Sequence, residues 1–293
     1  MSPTIPTRAG SGAPWVEALA SLAQHRVLTA AQIHAMHLSS VGLRQAQRLL
    51  AELGREGLAG HAAGLGAQRV WFATAKGIEA VRSSGVLEGE PPLLDRRSAS
   101  GRLTAHTLAV NDVGIAFMAA ARERGEGFGA LSWRHEVAHR MGAAGRGRRR
   151  RWKVADAVLT YLRTEGAETV VEQRFLELDR ATRSAEGLAR ELAAYARLRR
   201  ATGAGGGPAW RALYPAFPSV LCVLAGGRAE LLRRRRDAVL AFLAADPAIG
   251  SPPRPAIRVC LLEDLCARGP YAAIFAEAGE PGRAVDWTGR RAK

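Results

Sequence analysis

Apolar residues near the start of the chain recur at helical spacing. They return every three or four positions in Trp15–Gln24 and again in Leu43–Leu53, which predicts two helices with one buried face each. Between them, Thr29 and Gln32 match a capping box and predict a short second helix. Ser39-Ser40 is expected to cap the third helix. The pattern therefore predicts three short helices in succession.

Two short extended stretches follow these helices. Leu58–Ala62 and Arg69–Thr74 flank a Gly-rich loop and predict a hairpin, and Thr74 is expected to start a further helix. Helices followed by a hairpin predict a winged helix-turn-helix domain at residues 15–85, which would place its third helix in the major groove of DNA. Many winged helices bind only proteins, so that alternative stays open. The polar side chains expected on the outer face of the third helix are Arg44, Gln45, Gln47 and Arg48.

The pattern changes after residue 85. Residues 86–100 contain two adjacent prolines and no periodicity, which indicates a linker. A helix is expected from about Leu103 to Arg124, and strands then alternate with helices up to Leu262, which predicts an α/β domain at residues 101–265. Residues 266–293 show no clear pattern and are expected to form a loosely packed tail.

Composition adds a strong positive charge to this picture. The 293 residues include 42 Lys and Arg against 27 Asp and Glu, giving a formal net charge of +15. Such an excess favours a polyanionic partner such as nucleic acid. No apolar run reaches the roughly 18 residues of a membrane helix, and the three cysteines show no paired spacing. A cytoplasmic location without a membrane partner is therefore expected.

Three carboxylates stand on two predicted strands. Glu177 and Asp179 are two positions apart and so share a face, and Asp156 joins them if its strand is the neighbour. Three acids in a small volume repel one another unless a cation intervenes, and oxygen ligands suit Mg²⁺ or Mn²⁺. Such a metal centre could cleave a phosphodiester. The alternative is that these acids are only solvated at strand ends.

A run of basic residues leads into the strand that carries Asp156. It predicts a loop that holds DNA phosphates, although solvated basic loops are common. Arg69, in the predicted hairpin, is a further candidate for contact with DNA. The members of the basic run taken as DNA-binding candidates are Arg148, Arg149, Arg150, Arg151 and Lys153.

Residues 135–139 read His-Glu-Val-Ala-His and match the HExxH signature of zinc proteases. That signature works on a helix, where its histidines lie one turn apart. Gly129, Gly142 and the surrounding residues favour a strand instead. A zinc protease therefore remains a remote alternative.

Six short motifs follow one another along the chain. They are Trp71-Phe-Ala-Thr-Ala-Lys-Gly77, His106-Thr-Leu-Ala-Val-Asn-Asp112, Trp133 with Glu136, Val154-Ala-Asp156-Ala, Phe175-Leu-Glu177-Leu-Asp179 and the helix with Leu188 and Tyr195. In this order they resemble the replication-relaxation family of bacterial plasmids and mobile elements, and the resemblance covers roughly residues 25–200.

This resemblance implies a second domain with the restriction-endonuclease fold. Its motif would make Asp156 the first acid and Glu177 the second, while Asp179 occupies the usual lysine place and Ala155 replaces a usual proline. Loss of that lysine also occurs in copies that only bind DNA.

The leading hypothesis is a protein of plasmid or mobile-element replication and relaxation that binds double-stranded DNA. It would nick one strand with Asp156, Glu177, Asp179 and Mg²⁺ or Mn²⁺. The alternative is a non-catalytic winged-helix factor in replication initiation, partition or transcription. A second copy of the chain, or replication and transfer proteins, are further expected partners.

Overall fold

The computed structural model describes residues 14–64, 68–87, 91–101, 103–141, 152–203, 205–250, 252, 254–280 and 282–291. Helices and mixed sheets make it an α/β protein, as the sequence predicts. The chain forms two compact units. The N-terminal unit contains the described residues up to Arg122 together with Gly127–Arg134, and the C-terminal unit contains Glu123–Glu126 and the described residues from His135 onward.

The N-terminal unit combines short helices with a small sheet. Its three strands lie in the order β1-β3-β2, with antiparallel pairing on both sides of β3. Its elements are α1 (Pro14–His25), β1 (Leu28–Thr29), α2 (Ala30–His37), α3 (Leu43–Arg55), β2 (Ala59–Ala63), β3 (Arg69–Ala73), α4 (Ala75–Ser83), α5 (Arg96–Ala99) and α6 (Thr104–Arg124), of which α6 ends in the other unit.

Local capping explains where these helices begin. The Thr29 hydroxyl accepts from the Gln32 N–H at 3.1 Å and the Gln32 side chain accepts from the Thr29 N–H at 3.2 Å, which confirms the predicted capping box of α2. Thr74 caps α4, also as predicted. The expected cap of α3 at Ser39-Ser40 is wrong, because α3 begins after Gly42, which makes no side-chain capping bond.

The helix α6 packs within the N-terminal unit, and its contact with β4 is to Trp133, which belongs to the same unit. Asn111 on α6 donates to the Val27 carbonyl at 3.0 Å, and Gln32 donates to the Asp112 carboxylate at 2.7 Å. The predicted linker at 86–100 also contains α5, whose fully buried Ala99 packs in a cluster with Val27. The boundary between the units therefore falls after Arg122, near the end of α6. The sequence pattern had placed the whole helix in the second domain.

The C-terminal unit is built on a seven-stranded sheet within the described residues. Its strand order is β10-β9-β8-β7-β6-β5-β4, so each strand lies beside its neighbour in the sequence. The elements are β4 (Trp133–Arg140), β5 (Trp152–Glu165), β6 (Glu168–Asp179), α7 (Ala185–Arg200), a 3₁₀ turn (Ala209–Ala212), β7 (Ser219–Leu224), α8 (Ala229–Ala245), α9 (Pro247–Gly250), β8 (Ile257–Leu261), α10 (Leu262–Arg268), β9 (Phe275–Glu277) and β10 (Ala284–Val285).

The long hairpin of β5 and β6 and the parallel strands beyond it form the centre of this sheet. β5 and β6 pair antiparallel, whereas β7 runs parallel to both β6 and β8. The helix α7 buries Leu192 and Tyr195 against Phe175 of β6, in a core that β7 and β8 continue. No helix in the described residues is long and apolar enough to cross a lipid bilayer.

The prediction of a loosely packed tail at 266–293 is wrong. Phe275 and Trp287 have no exposed surface, and β9 and β10 extend the sheet. The Trp287 ring packs at 4.9 Å from the Tyr161 ring, so this segment completes a core of distant residues. Strands of two or three residues are too short to show a hydrophobic period, so the sequence pattern could not indicate that this segment is packed.

Candidate functional site

An exposed polar surface lies on α3. Ala46, Leu50 and Leu53 form its buried stripe, at the spacing that the sequence predicts. Leu43, expected in the same stripe, is instead 42% exposed. The side chains that point away from the stripe are all exposed: Arg44, Gln45, Gln47 and Arg48. We call these four residues the α3 surface.

The hairpin of β2 and β3 lies next to this helix in the chain and carries Arg69. Arg69 is exposed at the start of β3 and pairs in register with Ala63, while Val70 after it is fully buried. Arg69 therefore stands near the end of the hairpin, and residues 65–67 at its tip lie outside the described residues. In the part of the chain that the structure describes, Arg44, Arg48 and Arg69 form no ion pair, so their charges are available to an external partner.

Asp156 and Glu177 are brought together in the C-terminal unit, as the sequence suggests. β5 is the neighbour of β6, and the Asp156 carboxylate accepts a hydrogen bond from the backbone N–H of Leu178 at 2.8 Å. Asp156 also raises the pKa of Glu177 through charge repulsion. Two of the three predicted acids therefore share one region of the sheet.

Glu177 is buried and already has partners. Its Oε1 lies 2.8 Å from the Lys153 ammonium and accepts from the Tyr195 hydroxyl at 2.5 Å. Burial raises the pKa of Glu177, while the Lys153 charge opposes that shift. Lys153 also lies 3.3 Å from Glu191 of α7, and its ammonium stands 4.7 Å from the centre of the Tyr195 ring. A buried ion pair with an added hydroxyl donor results.

The expectation that Lys153 contacts DNA phosphates needs correction. The residue is only 5% exposed, and its ammonium is engaged by two carboxylates inside the unit. It precedes Asp156 on β5, so its place beside the acids follows from strand and helix packing rather than from the basic run. The other members of that run, Arg148, Arg149, Arg150 and Arg151, lie outside the described residues.

Asp179 has a separate partner. Its carboxylate accepts from Arg235 Nε of α8 at 2.7 Å and from the Ala181 N–H at 3.2 Å. Across the described ranges, no group of three His, Cys, Asp or Glu side chains is arranged to hold a metal ion. The three predicted acids are thus each compensated by groups of the protein itself.

Sequence reasoning missed Tyr195 and Arg235 as partners of these acids. Tyr195 is visible only as an apolar position of an amphipathic helix, and Arg235 is one of four consecutive arginines on α8. Nothing in the spacing tells which of the four faces Asp179. The signal available was weak: two buried acids on one strand require cations or hydrogen-bond donors, and β5, α7 and α8 supply them.

The HExxH residues lie on the strand β4. His135 and His139, four strand residues apart, are separated by roughly 13 Å along the strand, too far to share one zinc ion. His139 is buried, and its Nε2 lies 2.5 Å from the Tyr214 hydroxyl. Glu136 has a positive φ of 50°. His139 is therefore a core side chain, and the helix that a zinc protease requires is absent at residues 135–139.

Comparison with known proteins gives one match. The family model described as replication-relaxation matches residues 19–208, which is more than half of the chain. The matched stretch contains the α3 surface, Asp156 and Glu177, whereas the strands from β7 onward lie outside it. No curated protein and no solved structure gives a significant match.

Proposed function

Because the chain belongs to the replication-relaxation family, we propose that it binds double-stranded DNA at a plasmid or mobile-element site and acts there in replication or relaxation. The N-terminal unit serves as a winged helix in this proposal. The helix α3 enters the major groove, and the hairpin of β2 and β3 contacts the backbone. The observation that carries the proposal is the α3 surface, in which polar and cationic side chains stand together opposite a buried apolar stripe.

The chemistry of the α3 surface suits base-edge and phosphate contacts. Arginine donates two parallel hydrogen bonds to guanine, whereas glutamine donates one to adenine N7 and accepts one from the adenine N6 amino group. Arg44 and Arg48 are one helical turn apart, so both can approach the same groove. The net charge of +15 adds a sequence-independent attraction to phosphates that salt weakens.

Duplex binding by an α3 variant tests the proposal. We expect Arg44→Ala/Arg48→Ala to bind a duplex fragment of its own replicon more weakly by about 2–4 kcal/mol, because two contacts are lost. Fluorescence anisotropy at several salt concentrations measures the affinity and its salt slope. The matched control is Arg82→Ala, an exposed arginine at the end of α4 in the same unit.

The outcomes separate the possibilities. If the α3 variant alone loses duplex affinity while its melting temperature is unaltered, the result supports DNA binding by the winged helix. Equal affinities in all three proteins would assign duplex binding to another surface. No binding by the native chain at low salt would overturn DNA binding itself.

A second candidate function, strand nicking, has one observation in its favour. The carboxylates of Asp156 and Glu177 lie together beside the Lys153 ammonium, a combination of acids and a cation that phosphodiester cleavage uses. The arrangement does not fit a metal ion as it stands, because Glu177 Oε1 accepts from Lys153 and Tyr195 and Asp179 pairs with Arg235. We therefore derive no metal-dependent step, and the geometry supports DNA binding without cleavage more strongly.

Supercoiled plasmid distinguishes the two functions. The full chain is incubated with DNA of its own replicon in EDTA, Mg²⁺ or Mn²⁺, with Asp156→Ala beside it. Metal-dependent conversion to open circles that Asp156→Ala abolishes would establish nicking and place its site. Intact supercoils together with a clear gel shift would support the binding function alone.

A further inference from the structure

A cavity in the C-terminal unit has the composition of an anion site. It measures about 570 Å³ and opens between the β5–β6 hairpin and the C-terminal residues. The hydroxyl side chains on its wall are those of Thr164, Tyr271 and Thr288, and the last two donate to Glu126 and Asp286. The guanidinium groups that line it are those of Arg124, Arg163, Arg290 and Arg291.

The carboxylates on the same wall are already satisfied from within. Glu126 accepts from the hydroxyls of Tyr161 and Tyr271, each at 2.7 Å, and from Arg124 at 3.3 Å. This network holds the Tyr271 ring in place under the Arg124 guanidinium, 3.9 Å from the ring centre. A carboxylate with three donors has little remaining attraction for a further cation.

The other two carboxylates are compensated in the same way. Glu165 pairs with both Arg163 and Arg290. Asp286 Oδ1 accepts from the backbone N–H and hydroxyl of Thr288, at 2.8 and 2.7 Å, and from the Arg290 N–H at 2.9 Å. Four arginines thus face three internally bonded acids, which leaves a net positive wall.

The donors that a ligand can reach belong to exposed arginines. The Arg124 and Arg290 side chains are 50% and 65% exposed, although each pairs with a glutamate. Arg291, at the rim, is also exposed and leaves the wall with one positive charge in excess of its three carboxylates. Arginine carries five N–H donors, so a pairing with one carboxylate leaves others available to an acceptor-rich anion.

We propose that this cavity binds the phosphate group of a nucleotide unit, either as a free nucleotide or as part of single-stranded DNA. Phosphate presents several acceptor oxygens, which match guanidinium donors in geometry and charge. The half-buried Tyr271 ring offers an apolar surface for the attached sugar or base. The proposal goes beyond DNA binding by the N-terminal unit and does not depend on it.

Binding of three probes to the full chain tests the site. Inorganic phosphate, thymidine monophosphate and a short oligothymidylate are each titrated by calorimetry against the native chain and Arg290→Ala/Arg291→Ala. We expect the affinity of the variant for thymidine monophosphate to be lower by a factor of about ten at least, because charge-assisted donors are removed. Arg283→Ala, in the same C-terminal segment and paired with Glu280 at 3.7 Å, is the matched control.

The order of the affinities identifies the source of the phosphate. Tighter binding of the oligothymidylate than of the mononucleotide, with a steep salt dependence, identifies DNA as the source of the phosphate. The reverse order identifies a free nucleotide.

Two results would overturn the proposal. One is that none of the three probes binds to the native chain, and the other is that the double variant and the native chain bind all probes equally. Duplex binding is measured on the same preparations. Retained duplex binding with no probe binding would end the cavity proposal alone and leave the function of the α3 surface intact.

Discussion

Burial sets the protonation state of His25. The ring is fully buried in the N-terminal unit, stacks on Trp133 with centroids 4.1 Å apart, and places Nε2 2.6 Å from the Ala130 carbonyl oxygen. Removal from water lowers the pKa of His25 to about 3, and the hydrogen bond to Ala130 only partly opposes this. The residue therefore folds in its neutral form.

This lowered pKa makes stability depend on pH. The unfolded chain takes up a proton on His25 below its ordinary pKa of 6.5, whereas the folded chain does so only near pH 3, so stability is complete above pH 6.5 and falls on acidification. We expect His25 to account for about 2 kcal/mol of lost unfolding free energy between pH 7 and pH 5. Urea unfolding at the two pH values measures it. In His25→Gln the loss should shrink by that amount, and equal losses in both proteins would refute the assignment.

The pair of Lys153 and Glu177 predicts a coupled effect on stability. Lys153→Met leaves a buried carboxylate without its cation and should lower the unfolding free energy by roughly 3 kcal/mol. Lys153→Met/Glu177→Gln should cost clearly less than the two single changes added together, because neither charge is then left alone. Thermal or urea unfolding of the native chain, the two single variants and the double variant measures this coupling.

The exposed i,i+4 pair of Arg190 and Glu186 on α7 gives the control, since Arg190→Ala should change the unfolding free energy little. Additive effects at the buried pair would show that the contact is not energetically coupled.

At the scale of elements, α4 depends on a glycine in its first turn. A Cβ on Gly77 would stand 2.1 Å from the Leu58 carbonyl oxygen, which is backbone and cannot move aside. Gly77→Ala should therefore destabilise the chain by about 1–3 kcal/mol, although alanine normally favours a helix by about 1 kcal/mol. Urea unfolding measures the change, with Glu79→Ala on the exposed face of α4 as control. A stabilised Gly77→Ala would mean that α4 can shift away from Leu58.

Elements with a strong local signal were predictable from the sequence. The helix α7 belongs to the alternation of strands and helices that the sequence predicts, and an N-cap serine and a regular apolar stripe define its bounds Ala185–Arg200. The strand carrying residues 135–139 was also expected, since its flanking glycines oppose a helix. The prediction that Ser39-Ser40 caps α3 was wrong because serine is common in turns as well as at helix N-caps, and the backbone conformation decides which residue is the N-cap.

The candidate site was predictable only in part. The neighbouring positions of Asp156 and Glu177 follow from strand alternation and the β5–β6 hairpin, which local sequence encodes. Lys153 of β5 neutralises Glu177, whereas the Tyr195 hydroxyl and the Arg235 cation come from α7 and α8 and depend on how each helix rotates over the sheet. Periodicity predicts a buried face and not the partner of one side chain on it.

At the scale of the whole molecule, the C-terminal segment stabilises the sheet. Trp287 has no exposed surface, packs 4.9 Å from the Tyr161 ring and stands under the Arg174 guanidinium at 4.8 Å. Trp287→Ala should lower the unfolding free energy by about 3–5 kcal/mol, because a large cavity remains. Urea unfolding tests this, with the exposed Glu280→Ala as control. A change as small as in the control would mean that the segment adds little to stability.

The strand order also governs how the protein can be made. Each strand from β5 to β10 pairs with the strand before it in the sequence, so the sheet can grow at one edge as the ribosome releases the chain. No later strand must insert between two that have already paired. Until β10 emerges, however, the newest edge of the nascent sheet stays unpaired and able to recruit other chains. Synthesis that stalls after residue 208 would leave β6 exposed at that edge, so truncated products should aggregate where the full chain does not.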